Sequence, residues 1–205
     1  MMTNPTISLI ERRVSANLFD ASHNLADAEI EELVRLATRA PTAYNLQNWR
    51  FIAVRTAEAK TRLRALAWNQ PKVEDAAVTF IICGVHPDAE TLPERLQPSV
   101  AAGYMPADMP SAWREAAGAQ YADPQTARDE AVRSATLGAA TLIYAAEALG
   151  FASCPMVGFE AEGVARAFGL GANDVPVLLV AVGRAAPGNW PQKPRRPLAE
   201  VLEIL

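Results

Sequence analysis

The alternation of apolar and polar positions divides the chain into helical and strand-like stretches. Residues 5–14 predict a short helix, with Pro5 suited to a first turn and Ile7, Leu9, Ile10 and Val14 as its apolar face. Residues 27–39 predict an amphipathic helix. Ile30, Leu33, Val34 and Ala37 share one face, and Asp27, Glu29 and Arg39 suit the helix dipole. Trp49–Val54 reads as a strand and Ala57–Ala67 as a helix, broken at Trp68-Asn69-Gln70-Pro71-Lys72. The run Ala77–Cys83 is apolar on both alternating faces, which predicts a central strand covered on both sides. Prolines at 87, 93, 98, 106 and 110 punctuate the next stretch, where helical turns are expected at 94–100 and 111–119. Asp123-Pro124 is a strong helix start, and the helix it opens is expected to reach about 149, before Gly150. Val132, Ala135, Ala139, Leu142, Ala146 and Leu149 recur at helical spacing and other apolar residues fill the remaining faces, so this helix is expected at the centre of a core or a dimer interface. Strands at 151–155 and 177–182 flank a helix at 160–168, with Pro176 marking the start of the last strand. A tail rich in proline and basic residues covers 183–197, and 198–205 closes with an apolar segment. The order predicts an α+β arrangement around one sheet, with 1–205 forming a single domain and 86–121 a variable, mobile cover.

Composition narrows the function. Half of the 205 residues are hydrophobic and the formal net charge is −4, which disfavours nucleic-acid binding. The longest uncharged segment, 134–146, is too short for a membrane span. No apolar segment with a cleavage site is visible near the N-terminus, and the cytoplasm is the expected compartment. Cys83 and Cys154 lie far apart without a metal-binding spacing, so no metal site is expected. His23 and His86 are read as surface residues without a nucleophile partner, and the Glu31/Glu32 pair as a solvated face. No side chain is therefore expected to act as catalytic acid, base or nucleophile. That pattern is compatible with a cofactor that carries the chemistry itself.

Candidate binding chemistry sits in separate segments. In Ala40-Pro41-Thr42-Ala43-Tyr44-Asn45-Leu46-Gln47-Asn48-Trp49-Arg50-Phe51, proline stops the preceding helix, and Asn45 and Gln47 stand two apart. Taken alone, the stretch reads as a turn whose amides hydrogen-bond their own backbone. Its second reading is a pair of carboxamides aimed at the edge of a flat heterocycle. Arg13 with Ser15, and Lys193 with Arg195, have the chemistry to grip a phosphate by side chains, since no glycine-rich phosphate loop is present.

Together these stretches resemble the nitroreductase family, in the order Arg13-Val14-Ser15-Ala16-Asn17-Leu18-Phe19, Ala40–Phe51, Asn69 with Lys72, Pro155-Met156-Val157-Gly158-Phe159, and Lys193-Pro194-Arg195-Arg196-Pro197. The resemblance spans 10–198, with 86–121 poorly matched. It implies FMN held by Arg13, Val14, Ser15 and Asn17, by Pro41, Thr42, Ala43, Asn45 and Gln47 from a partner subunit, by Asn69 and Lys72, by the main chain of Pro155, Met156, Val157 and Gly158, and by Lys193 and Arg195. Lys72 would support negative charge on the pyrimidine ring. Asn17 stands where the family has a basic residue, Tyr44 where it has a small one, and Asn48 where it has proline. The implied fold is a mostly antiparallel sheet surrounded by helices, with a long buried core helix, in an intertwined homodimer. The implied activity is a ping-pong, two-electron NAD(P)H oxidoreductase acting on nitroaromatics, quinones or similar small acceptors. Tyr104, Met105 and Trp113 are candidate substrate contacts. The alternatives are a narrower aldehyde or enone reductase, and a non-enzymatic FMN-binding dimer.

Overall fold

The structure, a computed structural model, describes residues 4–205; residues 1–3 of the expected 1–205 unit lie outside the described part. Its longest element is helix α7, Pro124–Ala148. Asp123 caps it, accepting from the Thr126 N–H at 2.8 Å, and Gly150 ends it with φ 82°. The buried face of α7 is built from Ala131, Ala135, Ala139, Leu142 and Ala146, joined by Gly138. Small side chains let the helix lie close on a sheet.

That sheet has four strands in the order β1-β2-β4-β3: β1 Trp49–Val54, β2 Val78–Val85, β4 Asp174–Gly183 and β3 Ala152–Met156. Every pairing is antiparallel. Residues 78–84 of β2 are all buried, as the two-sided apolar run predicts. Successive residues feed opposite layers. Val78, Phe80 and Ile82 pack with Val180 and Val182 against α7 and helix α2, Asp27–Ala37. Ile81, Cys83, Leu179 and Ala181 pack with Leu63, Val73 and Val164. Those three come from helices α3 (Ala57–Leu66), α4 (Lys72–Asp75) and α8 (Ala161–Ala167). Each fully buried aliphatic side chain of these layers contributes roughly 1.5–3 kcal/mol relative to exposure.

Several expectations shift. Helix α1 is Pro5–Arg12, two residues shorter than expected, and none of its residues is buried. Arg39 lies beyond α2, whose last turn carries Arg35 instead. Pro176 does not open β4; it sits inside the strand, opposite Cys83, where the β2–β4 register slips. The slip tolerates a residue without an N–H, and β3 pairs only with 179–183. His23 is half-buried against Phe151, and its Nδ1 is buried without a partner among the described residues; His86 is also half-buried. The segment 86–121 forms two full helices, α5 Leu92–Ala101 and α6 Met109–Gln120. Their residues Leu92, Leu96 and Ala117 enclose Leu46 together with Tyr121 and Ala127. Helix α7 is not covered all round in one chain, since Leu137 and Tyr144 are exposed. Among the described residues, no helix is long and apolar enough to cross a membrane.

Gly84 marks the closest approach of α7 to β2, where an added Cβ would lie 2.1 Å from the Ala131 carbonyl oxygen. A backbone atom cannot yield as a flexible side chain can. Gly84→Ala is therefore expected to destabilise the fold by about 2 kcal/mol or more, measured as a fall in the urea midpoint; an unchanged midpoint would contradict this packing.

Candidate functional site

The two ends of the chain meet beside β3. The Ala16 N–H donates to the Ser153 carbonyl at 3.0 Å, and the Asp20 N–H to the Arg184 carbonyl at 2.9 Å. Asn189 clips the tail down: its Oδ1 accepts from the N–H groups of Asn17 and Leu18, and its Nδ2 donates to the carbonyls of Leu18 and Ala186. Gln192 forms a second clip, donating to the Arg13 carbonyl at 2.9 Å and accepting from Arg195 at 2.9 Å. Arg13 itself donates to the Ser15 hydroxyl at 3.4 Å. Arg13, Ser15, Lys193 and Arg195 thus converge, although 177 or more positions separate the two pairs. Ser15, Lys193 and Arg195 line a depression of roughly 190 Å³ together with Val14, Asn17, Trp190, Pro191 and Gln192, and Arg13 stands behind Ser15 without lining it. Arg13, Lys193 and Arg195 make no ion pair with a carboxylate among the described residues. Two cationic side chains on the depression and a third beside it, without a counter-charge, have the chemistry to hold an anion.

Lys72 lies at the adjoining edge. Trp68 and Asn69 both take left-handed backbone angles, φ 52° and 55°, and turn the chain sharply between α3 and α4. The half-buried Lys72 then donates to the Asn17 Oδ1 at 2.9 Å. Asn17 is a neutral partner, so the ammonium is oriented without being neutralised, and Lys72 also lacks a carboxylate partner among the described residues.

Across this edge the Trp68 ring packs on Gly158, where an added Cβ would lie 2.7 Å from the ring. Gln70 donates to the Gly158 carbonyl at 2.9 Å. The N–H groups of Val157 and Gly158 donate to no acceptor among the described residues. Val157 is exposed, whereas the Met156 side chain belongs to the core. The Met156 side chain is therefore not available to a ligand, whereas the main chain at Val157 and Gly158 is.

The loop before β1 differs from an extended segment. Residues Ala43–Asn45 form a 3-10 turn, and Tyr44, Asn45 and Gln47 have φ of 52°, 57° and 48°. The Thr42 hydroxyl accepts from the Gln47 N–H at 2.9 Å. Leu46 and Asn48 are buried, while Asn45 and Gln47 are exposed. Neither exposed carboxamide makes a hydrogen bond among the described residues, so the reading of a turn with self-satisfied amides does not hold. Asn48 instead ties the loop to β2, its Nδ2 donating to the Val85 carbonyl at 2.9 Å. No residue of this loop lines the depression between the chain ends. Tyr104 is exposed on the cover, whereas Met105 and Trp113 pack on the Leu46 cluster.

A model described as the Nitroreductase family matches residues 10–184. The chain belongs to the nitroreductase family. Its sequence is 32% identical over 201 residues to the Bacillus subtilis protein YodC, provisionally named an NAD(P)H nitroreductase, with 98% of each chain covered. It is 33% identical over 174 residues to a Thermus thermophilus protein named NADH dehydrogenase, covering 84% of this chain and 83% of that one. Its structure matches a protein of Exiguobacterium sibiricum, provisionally described as a nitroreductase and solved with FMN, at TM-score 0.90 and 25% identity, covering 100% of this chain and 99% of that one. The antiparallel sheet with its long helix is the fold of this family.

Sequence reading missed Asn189, Trp190 and Gln192, which shape the depression, and Trp68 and Gln70, which hold Gly158. Asparagine and glutamine in a proline-rich tail carry no periodic signal, and the left-handed turn at Trp68 has no glycine to announce it. Both thiols are free and buried, and Cys83 does not compete as a nucleophile, since burial pushes it up to about 12 with Asp174 adding to the shift. Gly158→Ala is expected to push the Trp68 ring off the 155–159 segment. The near-ultraviolet circular dichroism should change while the far-ultraviolet spectrum is retained; an unchanged near-ultraviolet spectrum would refute the contact.

Proposed function

We propose that the chain is an FMN-dependent NAD(P)H oxidoreductase, working as a cytoplasmic homodimer on small acceptors such as nitroaromatics or quinones. The observation that carries this reading is that Lys193 and Arg195, with no carboxylate partner among the described residues, line one depression with Ser15, to which Arg13 donates, in a nitroreductase fold. Arg13, Ser15, Lys193 and Arg195 would hold the phosphate of FMN. Asn17, Asn69 and Lys72 would border the pyrimidine edge, where an oriented, un-neutralised ammonium favours negative charge. The free N–H groups of Val157 and Gly158 would donate to the ring from the Pro155–Gly158 side. Bound FMN supplies the two-electron chemistry, so this chain needs only to bind, orient and polarise.

A depression of roughly 190 Å³ is smaller than the ~300–1,000 Å³ typical of a pocket that encloses a ligand of this size. The second wall would be Pro41, Thr42, Ala43, Asn45 and Gln47 of another copy. Exposed apolar side chains support the dimer. Ile7 and Ile10 lie on α1, which Arg12 ties to Glu147 of α7 at 2.8 Å, and Leu137 and Tyr144 lie on α7 itself. The tail adds Leu198, Val201, Leu202, Ile204 and Leu205, all exposed. Such a concentration of apolar surface calls for a partner. Tyr104, Met105 and Trp113 keep their assignment to the acceptor side of the cover.

Purified protein is expected to be yellow, to release FMN on denaturation, and to lose its flavin absorbance anaerobically on adding NADH or NADPH. Colourless protein that takes up no added FMN would overturn the reading. A panel of nitroaromatic, quinone, aldehyde and enone acceptors then sets the acceptor class. Arg195→Ala removes one charged phosphate contact and is expected to weaken FMN binding by roughly 1.5–3 kcal/mol without dissociating the dimer; equal affinity in a titration would refute the phosphate role.

A further inference from the structure

The loop that presents Asn45 and Gln47 is bent in a way its own residues do not favour. Tyr44, Asn45 and Gln47 all lie in the left-handed region, and none is glycine. Asparagine tolerates that region; a bulky aromatic residue does so only when its surroundings hold it there. Tyr44 is held on three sides. Its hydroxyl donates to the Gln120 Oε1 at 2.8 Å, at the end of α6. Its ring meets Trp113 edge-on at 5.7 Å and Tyr121 at 6.3 Å. Two residues on, Leu46 is fully buried in the same cluster, and its carbonyl accepts from Arg95 of α5.

The attachment continues into the core. The Gln120 Nε2 donates to the Tyr121 hydroxyl at 3.4 Å. The Tyr121 phenol is pushed up to about 12 by burial, with the nearby Glu130 carboxylate of α7 adding to the shift. Glu130 is buried and accepts from Ser134 at 3.0 Å and Arg133 at 3.3 Å. The attachment therefore runs from the loop, through Tyr44 and Gln120, to Tyr121, which packs in one buried cluster with Ala127 of the central helix. Because Tyr44, Leu46 and Asn48 turn inward, Asn45 and Gln47 turn outward with unpartnered carboxamides.

We propose that Tyr44 is a positioning residue for the cofactor: by tying the loop to Gln120 and the Trp113–Tyr121 cluster, it holds the Asn45 and Gln47 carboxamides in the conformation that meets FMN. This rests on the flavin reading above. It gives the helices of the 86–121 segment a second task, as the support against which the cofactor-facing loop is set. Without the tie, the left-handed residues relax towards commoner angles and the two amides lose their shared direction.

Glycine at position 44 separates the tie from the backbone angle, because glycine accepts φ near 52° without cost from a side chain. FMN is titrated into apo-dimer by flavin fluorescence, with far-ultraviolet circular dichroism and gel filtration as controls for fold and assembly. Tyr44→Gly is expected to raise the FMN Kd tenfold or more, and Tyr44→Phe, which keeps the ring contacts, a few-fold. In a double-mutant cycle, Gln47→Ala should cost much less in the Tyr44→Gly background than in wild type, because the amide is no longer positioned. A merely structural tyrosine would give additive losses. Tyr44→Gly that binds FMN as well as wild type, or strictly additive losses, overturns the proposal. Should Tyr44→Gly fail to assemble, Gln120→Ala at an exposed position carries the test. Its loss should equal that of Tyr44→Phe and the two should not add, whereas no loss or additive losses overturn the proposal. Wild-type protein that takes up no FMN overturns the flavin reading and this proposal with it; wild-type binding beside an unaffected Tyr44→Gly overturns this proposal alone.

Discussion

Helix α7 lies so close to β2 that only a glycine, Gly84, fits opposite the Ala131 carbonyl. That approach fixes the rest. The helix covers one face of β2 and β4 with alanines, and the opposite face is free to receive α3, α4 and α8. With both faces occupied, 78–84 of β2 and 178–183 of β4 are buried, and there the register cannot slip by one residue without burying the wrong set. The loop before β1 is then anchored at the far end of β2, through the Asn48–Val85 pair of hydrogen bonds. The turn between α3 and α4 and the segment after β3 are set side by side across Gly158 and Trp68.

On this frame the charged residues follow an economy of counter-ions. Most arginines of the outer helices are paired with carboxylates, such as Arg35 with Glu32 and Arg64 with Glu74. Arg13, Lys72 and Arg195 are held instead by neutral amides and a hydroxyl, from Asn17, Gln192 and Ser15, and the Lys193 ammonium lies over the Trp190 ring at 5.8 Å. A neutral partner fixes direction while leaving the charge available to a ligand. The same economy appears in the loop, where Asn48 is consumed by the backbone of β2 and Asn45 and Gln47 are left free. A negatively charged, flat heterocyclic cofactor is the ligand that such a set of groups suits.

Much of this was legible in the chain. Strand β1 has the bounds its pattern predicts, and α7 ends within a residue of its expected limit at Gly150. Both follow from local rules: period-two alternation in one, an aspartate–proline start and a glycine stop in the other. The basic pairs at Arg13 and Arg195, and the carboxamides at Asn45 and Gln47, were visible as chemistry because such groups keep their donors and acceptors wherever they are placed. The segment 86–121 was not legible as two full helices, because Pro93 and Pro110, which look like breakers, sit at first turns of α5 and α6, and Pro98 is accommodated inside α5. Pro176 misled in the same way: a proline excluded from a regular ladder is tolerated where the register slips.

The sequence by itself determined the element types, the two-sided burial of β2, the family, and which residue types could bind an anion or a heterocycle. Those depend on spacing along the chain and on side-chain chemistry, both of which are local. Only the tertiary structure decided that Gln192 and Asn189 would bring the tail to Arg13 and Asn17, that Trp68 would lie on Gly158, and that Tyr44 would be tied to Gln120. Each of those contacts joins residues dozens of positions or more apart, at surface turns with no periodicity, and exists only because the packing of α7 on the sheet brings them within reach.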